Sequence, residues 1–290
     1  MNFPYINKIY SNQAIISFLI EALYSKIPNI NVTVNGPAPF TGNYSYVYTI
    51  QINNFSNPTL GNNTEGFTTE FLYNRNPDIL IDFQNAPIPL SENAFEINDN
   101  SKLFITNYNN LYTGHLTSMT SMFRNYSGII DVSTILNNWD LSNVTVVAYT
   151  FMNNSLLNAS FEDFDISNIS NMAGFLDNTG LSTENYTKTL ISWNNQPNKQ
   201  SNVLVGVEGL TYDLSGAYAR QILIDDYGWT FFGDNGPSIP EPEPTPPLPQ
   251  NNCVCRPTPI PLLLNSHHNH KQVSSYTRVS QRLKYNRNLR

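Results

Sequence analysis

Three apolar segments recur at near-regular intervals in the middle of the chain: LTSMTSMF (116–123), VTVVAYTF (144–151) and ISNMAGFL (169–176). Their first residues, Leu116, Val144 and Ile169, lie 28 and then 25 residues apart. Apolar residues follow at fixed offsets: Met119, Val147 and Met172 in the fourth place, Phe123, Phe151 and Leu176 in the eighth. The second and third segments also share a lead-in, NNWDLSNVT against EDFDISNIS, which aligns Trp139 with Phe164, Asp140 with Asp165, Ser142 with Ser167 and Asn143 with Asn168. A single unit of this length cannot bury its own apolar face, so the repeat demands stacked neighbours that share one core. The spacing predicts a short helix in each unit, with places one, four and eight on one face. The Asp-aliphatic-Ser-Asn step would end a strand, with Ser and Asn capping the helix. The expected repeat core is Leu116, Met119, Phe123, Trp139, Val144, Phe151, Phe164, Ile169 and Met172.

At WDLSNVT (139–145) and FDISNISNM (164–172) the chain resembles the BspA-like family of leucine-rich repeats, found in bacterial surface proteins and in large DNA viruses; the first unit matches only at LTSMTSMF. GLSTENYTKTLISW (180–193) and YDLSGAYARQILIDDYGWTFFGD (212–234) are similar to the terminal cap of such arrays, through Trp193, Tyr212, Ala219, Leu223, Gly228 and Trp229. The resemblance spans roughly residues 100–235. It implies an α+β fold containing a short leucine-rich-repeat-type solenoid with a C-terminal cap (Trp193, Tyr212, Leu223, Trp229). It also implies binding or adhesion through a protein surface, with no catalytic residues.

Residues 1–99 read as a separate helix plus β-rich unit. Ile15, Ile16, Leu19, Leu23 and Tyr24 are at helical spacing within 12–26, with Asn12 as N-cap and Pro28 as stop. NVTVNG, YSYVYTIQI and ILIDF then alternate as strands, the second placing Tyr44, Tyr46, Tyr48 and Ile50 on one face. Gly36-Pro37, Asn57-Pro58, Gly61-Asn62 and Asn76-Pro77 mark turns.

The far end differs in kind. Residues 236–262 form a proline-dense linker unable to pack a core, expected to be disordered or polyproline-like. Residues 263–290 form a basic tail whose Val279 and Leu283 share one side of a short helix. From Arg256 onward there are seven basic and no acidic residues, leaving 8 basic and 22 acidic groups on the first 255. An acidic body with a basic arm (Lys271, Arg278, Arg282, Lys284, Arg287, Arg290) suits a tether to an acidic partner: a protein, a membrane surface or nucleic acid. A solvated tail that binds nothing is the plainer alternative. The acidic body would repel a nucleic acid that the tail attracts.

Little in the sequence carries chemistry. Cys253 and Cys255, one residue apart, with His267, His268 and His270, lack the spacing of a structural zinc site. His115 stands alone outside the tail with no Gly-x-Ser-x-Gly turn to serve, and reads as a repeat-surface residue. Asp225-Asp226 reads as a helix end before a strand. No phosphate-cradling or dinucleotide loop occurs, so no cofactor or metal is expected. Asn-x-Ser/Thr sequons follow from the Asn-rich composition. The N-terminus lacks the basic start and cleavage site of a secretory signal, and no stretch approaches the roughly 20 apolar residues of a membrane span. The expectation is a non-enzymatic structural or interaction protein, virion-associated or in the viral factory of a host cytoplasm, with a capsid component as partner. The alternative is a secreted or cell-surface adhesin of a bacterium or protist. The oligomeric state stays open.

Overall fold

A computed structural model describes residues 5–12, 15, 17–28, 30–39, 43–52, 63–70, 78–84, 86–97, 102–126 and 128–240. The chain divides into two units, Met1–Glu241 and Pro242–Arg290. The proline-rich stretch after Pro240, the two cysteines, the three clustered histidines and the basic tail therefore lie outside the described residues.

The fold is mixed α/β. Its larger sheet has five strands in the order β2-β3-β1-β4-β5, built from β1 (Tyr5–Ser11), β2 (Val32–Pro39), β3 (Tyr46–Ile52), β4 (Asp78–Asp82) and β5 (Lys102–Thr106). All pairs are antiparallel except β4 with β5. The three runs read as strands became β2, β3 and β4. Tyr48, Ile50 and Ile52 of β3, Ile79 and Ile81 of β4, and Ile9 of β1 are buried.

β1 is the central strand, and its sequence hides the fact. Its inward face carries Asn7, Ile9 and Ser11, two of them polar, while Ile6 is exposed. Alternation is kept but inverted in polarity, so the apolar pattern that betrays a strand is absent. Burial of Asn7 is tolerated because its amide is hydrogen-bonded with the Tyr24 hydroxyl at 2.9 Å. Burial in turn pushes the Tyr24 phenol well above its ordinary range, so it stays protonated.

The helix expected over 12–26 is shorter: α1 covers Ser17–Ala22. Asn12 does not cap it. Its N–H reaches the Asp78 carbonyl (3.3 Å) and its side chain accepts from the Asp78 N–H (3.1 Å), extending the β1–β4 pairing instead. After Ala22 the backbone tightens into i→i−3 bonds, Leu23 to Ile20, Tyr24 to Glu21 and Ile27 to Tyr24. This lays Ile20, Leu23, Tyr24 and Ile27 into the core.

Three more helices and a small parallel pair complete the described chain: α2 (Val132–Asn138), α3 (Thr183–Asn195), α4 (Leu214–Tyr227), β6 (Leu204–Gly206) and β7 (Thr230–Phe232). Side chains close the first turns of the helices, Asp131 for α2, Ser182 for α3 and Asp213 for α4. α4 ends on Gly228 in the left-handed region (φ 70°), whose N–H reaches the carbonyls of Ile224 and Leu223. Asp225 and Asp226 thus lie in the last turn of a helix entering a strand, as read from the sequence.

Candidate functional site

The repeated segments fold as turns, against the short helices expected of them. The sixth place of each unit is left-handed (Ser121 φ 57°, Tyr149 φ 57°, Gly174 φ 60°), and so is the tenth (Asn125 φ 57°, Asn153 φ 64°, Asn178 φ 55°). Two left-handed residues four apart cannot sit in an α-helix. The backbone N–H groups divide their work accordingly. Those of Met122, Arg124 and Tyr126 close i→i−3 turns within their own unit. Those of Met119, Ser121, Phe123 and Asn125 donate to Val146, Ala148, Thr150 and Met152 of the next, all at 2.9 Å. The second unit repeats this toward the third, with Val147, Tyr149, Phe151 and Asn153 donating to Asn171, Ala173, Phe175 and Asp177. Single-residue parallel bridges, Ser118 to Val146 and Val146 to Asn171, mark the same register. Apolar side chains at places one, four and eight still converge, because the turns return the chain to the same side every few residues.

Rungs of this kind continue on both sides. Before the first unit, Phe95 and Ile97 donate to Met122 and Arg124, and Phe67 bridges Leu90; after the third, Met172 bridges Val205 and Thr211 bridges Asn235. One column of rings runs through them. Phe67, Phe95, Phe123 and Phe151 are spaced by 28 residues in sequence, and their centroids lie 6.2, 5.3 and 5.5 Å apart in turn. Phe175, Trp193 and Trp229 extend the column at 5.5, 6.4 and 6.1 Å. The spacing of the four phenylalanines is legible in the sequence, and the apolar-segment reading passed over it.

A second column is polar and outward. The Asn153 amide donates to Asn125 Oδ1 (2.8 Å), Asn178 donates to Asn153 Oδ1 (3.2 Å), and Asn125 donates to the Ile97 carbonyl (2.7 Å). A third runs through the shared lead-in: Asn143 to the Gly114 carbonyl (2.9 Å), Asn168 to Ser142 (3.2 Å) and Gln200 to Ser167 (2.7 Å). In that lead-in the aspartate, not the serine or asparagine, makes the turn. Asp140 Oδ1 accepts from the Ser142 N–H and hydroxyl, and Asp165 Oδ1 from the Ser167 N–H. The Ser142 hydroxyl, ahead of its backbone N–H, holds the Asp140 carboxyl below its ordinary value. The step is therefore an Asx turn followed by an inter-unit strut, where a helix cap was expected; no helix follows for it to cap.

All nine residues expected in the repeat core are buried: Leu116, Met119, Phe123, Trp139, Val144, Phe151, Phe164, Ile169 and Met172. Trp193, Leu223 and Trp229 are buried in the capping region, and Tyr212 packs partly buried against the core. Two indoles reach carbonyls of neighbouring segments, Trp139 to Tyr108 (3.0 Å) and Trp229 to Gln200 (2.8 Å). His115, expected on the surface, is half-buried and stacked on Tyr112 (5.5 Å, 11°), with Nε2 3.2 Å from the Glu65 carbonyl. Burial lowers its pKa.

Sequence reading missed a buried ion pair behind α4. Arg220 donates from Nε and one terminal nitrogen to the two oxygens of Asp234, both at 2.9 Å, and the Tyr186 hydroxyl donates to Asp234 at 2.7 Å. The Asp234 side chain is 1% exposed.

Between the two lead-in loops, 139–144 and 163–168, lies an open groove of about 300 Å³. Asp140, Asp163 and Asp165 line it together with the rings of Trp139 and Phe164. Among the described residues, no group of three or more His, Cys, Asp or Glu side chains is placed to hold a metal ion. What the region offers chemically is a regular surface: parallel rungs about 4.8 Å apart, a polar amide column and an acidic loop edge.

The ladder can be tested directly. Asn153→Ala removes both inter-unit amide bonds and sets at φ 64° a residue less tolerant of the left-handed region than asparagine, and is expected to cost about 2 kcal/mol in urea unfolding. Asn153→Gly, which keeps the conformation and loses only the amide, should cost about half of that. A glycine variant as stable as the natural chain would mean that the ladder amides contribute nothing beyond backbone preference.

A family model described as "Mycoplasma protein of unknown function, DUF285" matches residues 91–214, under half of the chain. The span overlaps the stretch that resembles BspA-like repeats and fits a related family. It opens on the rung formed by Ser91–Ile97, ahead of residue 100. No curated protein and no solved structure matches the chain. Among the described residues no helix is long and apolar enough to cross a membrane.

Proposed function

We propose that this chain is a non-enzymatic binding scaffold, in which the rungs described between Phe67 and Asn235 belong to a short leucine-rich-repeat-type solenoid that presents its regular outer surface to a protein partner. The observation that carries this is the succession of parallel rungs, 23 to 33 residues apart, locked by one aromatic column inside and amide columns outside. Such an array is quasi-one-dimensional and rigid, and it spends its polar side chains on struts between units. Binding by a surface of this kind needs no assembled catalytic group. In this reading the acidic body is tethered by the basic segment 271–290 to an acidic component of a larger assembly, a virion of a large DNA virus. Mass spectrometry of washed particles tests the location, and deletion of residues 237–290 tests the tether. The protein should be abundant in particles, and the deleted form should fold but fail to join them. Incorporation of the deleted form at the normal level would refute the tether.

A cell-surface adhesin is the second reading, favoured by the mycoplasmal description of the matching family model. Recovery of the protein from surface extracts, with none in particles, would select it.

A further inference from the structure

α4 carries large apolar side chains on its outer face as well as its inner one. Its inner face buries Ala217, Ala219 and Leu223. Its outer face carries Leu214 (41% exposed), Tyr218 (48%) and Ile222 (41%), which at i, i+4 and i+8 form one stripe about 12 Å long. A helix at a protein surface ordinarily turns charged or polar residues outward, and here Ser215 and Gln221 do so on either side of the apolar line. Tyr149, Leu204 and Phe232 are comparably exposed, but each stands on a separate rung.

Charge brackets the stripe. Asp213 lies at one end and Asp225 and Asp226 at the other, all exposed. The helix has a single basic residue, Arg220, and that side chain is turned inward onto Asp234 and the Phe231 ring. The outer face of α4 thus presents an apolar line, with Ser215 and Gln221 beside it, between anionic ends and with no cation of its own.

We infer that the outer face of α4 is a docking site for a basic amphipathic helix of another protein, one that lays an apolar i, i+4 stripe along Leu214, Tyr218 and Ile222 and sets Lys or Arg against Asp213, Asp225 and Asp226. Charge disfavours a second copy and an anionic membrane. A second copy paired antiparallel would bring Asp225 and Asp226 against its neighbour's Asp213, and a parallel pair would face each acid with itself. An anionic membrane would repel the same carboxylates. The site belongs to the capping region and stands apart from the role proposed for the repeat surface.

The test uses the full chain and two synthetic peptides of about 14 residues, long enough for the two turns of the stripe. Both carry the same leucine stripe, flanked in one by lysines and in the other by glutamates. Fluorescence anisotropy should show the lysine peptide binding and the glutamate peptide not. Tyr218→Ser with Ile222→Ser should weaken binding by about tenfold or more. Asp225→Lys with Asp226→Lys should shift the preference toward the glutamate peptide. Circular dichroism checks that both variants keep their fold, as exposed substitutions should. Failure of the lysine peptide to bind, equal binding of both peptides, dimerisation abolished by Tyr218→Ser/Ile222→Ser, or adsorption to phosphatidylserine vesicles would each overturn the inference.

Discussion

Phe123→Ala is expected to lower stability by about 3–5 kcal/mol, a large part of the roughly 5–15 kcal/mol a typical protein has. Phe123 is fully buried at the middle of the aromatic column, 5.3 Å from Phe95, 5.5 Å from Phe151 with rings 8° apart, and 5.9 Å from Trp139. Truncation leaves a cavity that neighbouring rungs cannot close, because their backbones are hydrogen-bonded to each other on both sides. It also removes ring pairings worth about 0.5–1.5 kcal/mol apiece beyond area burial. The position matters as much as the residue: in a linear array, contacts run to nearest neighbours only, so a gap at Phe123 should separate what lies before it from what lies after. All three tryptophans, Trp139, Trp193 and Trp229, lie on the C-terminal side of the gap in sequence. Tryptophan fluorescence then reports the later rungs while far-ultraviolet circular dichroism reports both halves. In urea the two curves should coincide for the natural chain and separate for Phe123→Ala. Coincident curves shifted by less than about 1 kcal/mol would mean that the column is not the spine of this fold.

The same column shows what the sequence could and could not disclose. Periodicity identified the repeat, and burial of Leu116, Val144 and Ile169 with their partners was legible because stacked units need a common apolar core. The conformation of the unit was not. Places one, four and eight fall on one side of a helix, but they fall on one side of a chain of tight turns as well. The discriminating signal was Asn at the tenth place in all three units, Asn125, Asn153 and Asn178, the residue type most tolerant of positive φ after glycine. The sixth place was uninformative, since Ser121, Tyr149 and Gly174 share no preference. Gly174 is glycine for a second reason: a β-carbon there would meet the Tyr149 ring. The central strand β1 was illegible for a different cause, with Asn7 and Ser11 on its buried face, paired through contacts that are far apart in sequence. The Asn-rich composition is in part structural, since its amides join one unit to the next. The groove between the lead-in loops follows from the paired motif, whereas the α4 stripe could not be recognised until the inner face of that helix was known.

Arg220→Ala should cost about 3–5 kcal/mol, although the arginine is no member of the aromatic column and lies over the rings of Tyr212 and Phe231. Asp234 is held at 1% side-chain exposure by two donors from Arg220 and by the Tyr186 hydroxyl. Burial, and after it the neighbouring Asp234 carboxylate, push the Tyr186 phenol well above its ordinary range. It therefore remains a hydrogen-bond donor throughout the range in which the protein is handled. Without Arg220, Asp234 keeps one donor side chain and loses its counter-charge in a site that water does not reach. The loss is chiefly the cost of an orphaned buried charge rather than the net worth of the pair, and a double-mutant cycle separates the two. Arg220→Ala with Asp234→Ala removes the charge along with its partner, and should recover about half or more of the stability lost by Arg220→Ala alone. The cycle is read by urea denaturation followed through Trp193 and Trp229, which pack 6.1 Å apart beside this site. If the double variant is as unstable as the sum of the two single variants, the pair is not coupled. The geometry joining Arg220, Asp234 and Tyr186 would then carry no energetic weight.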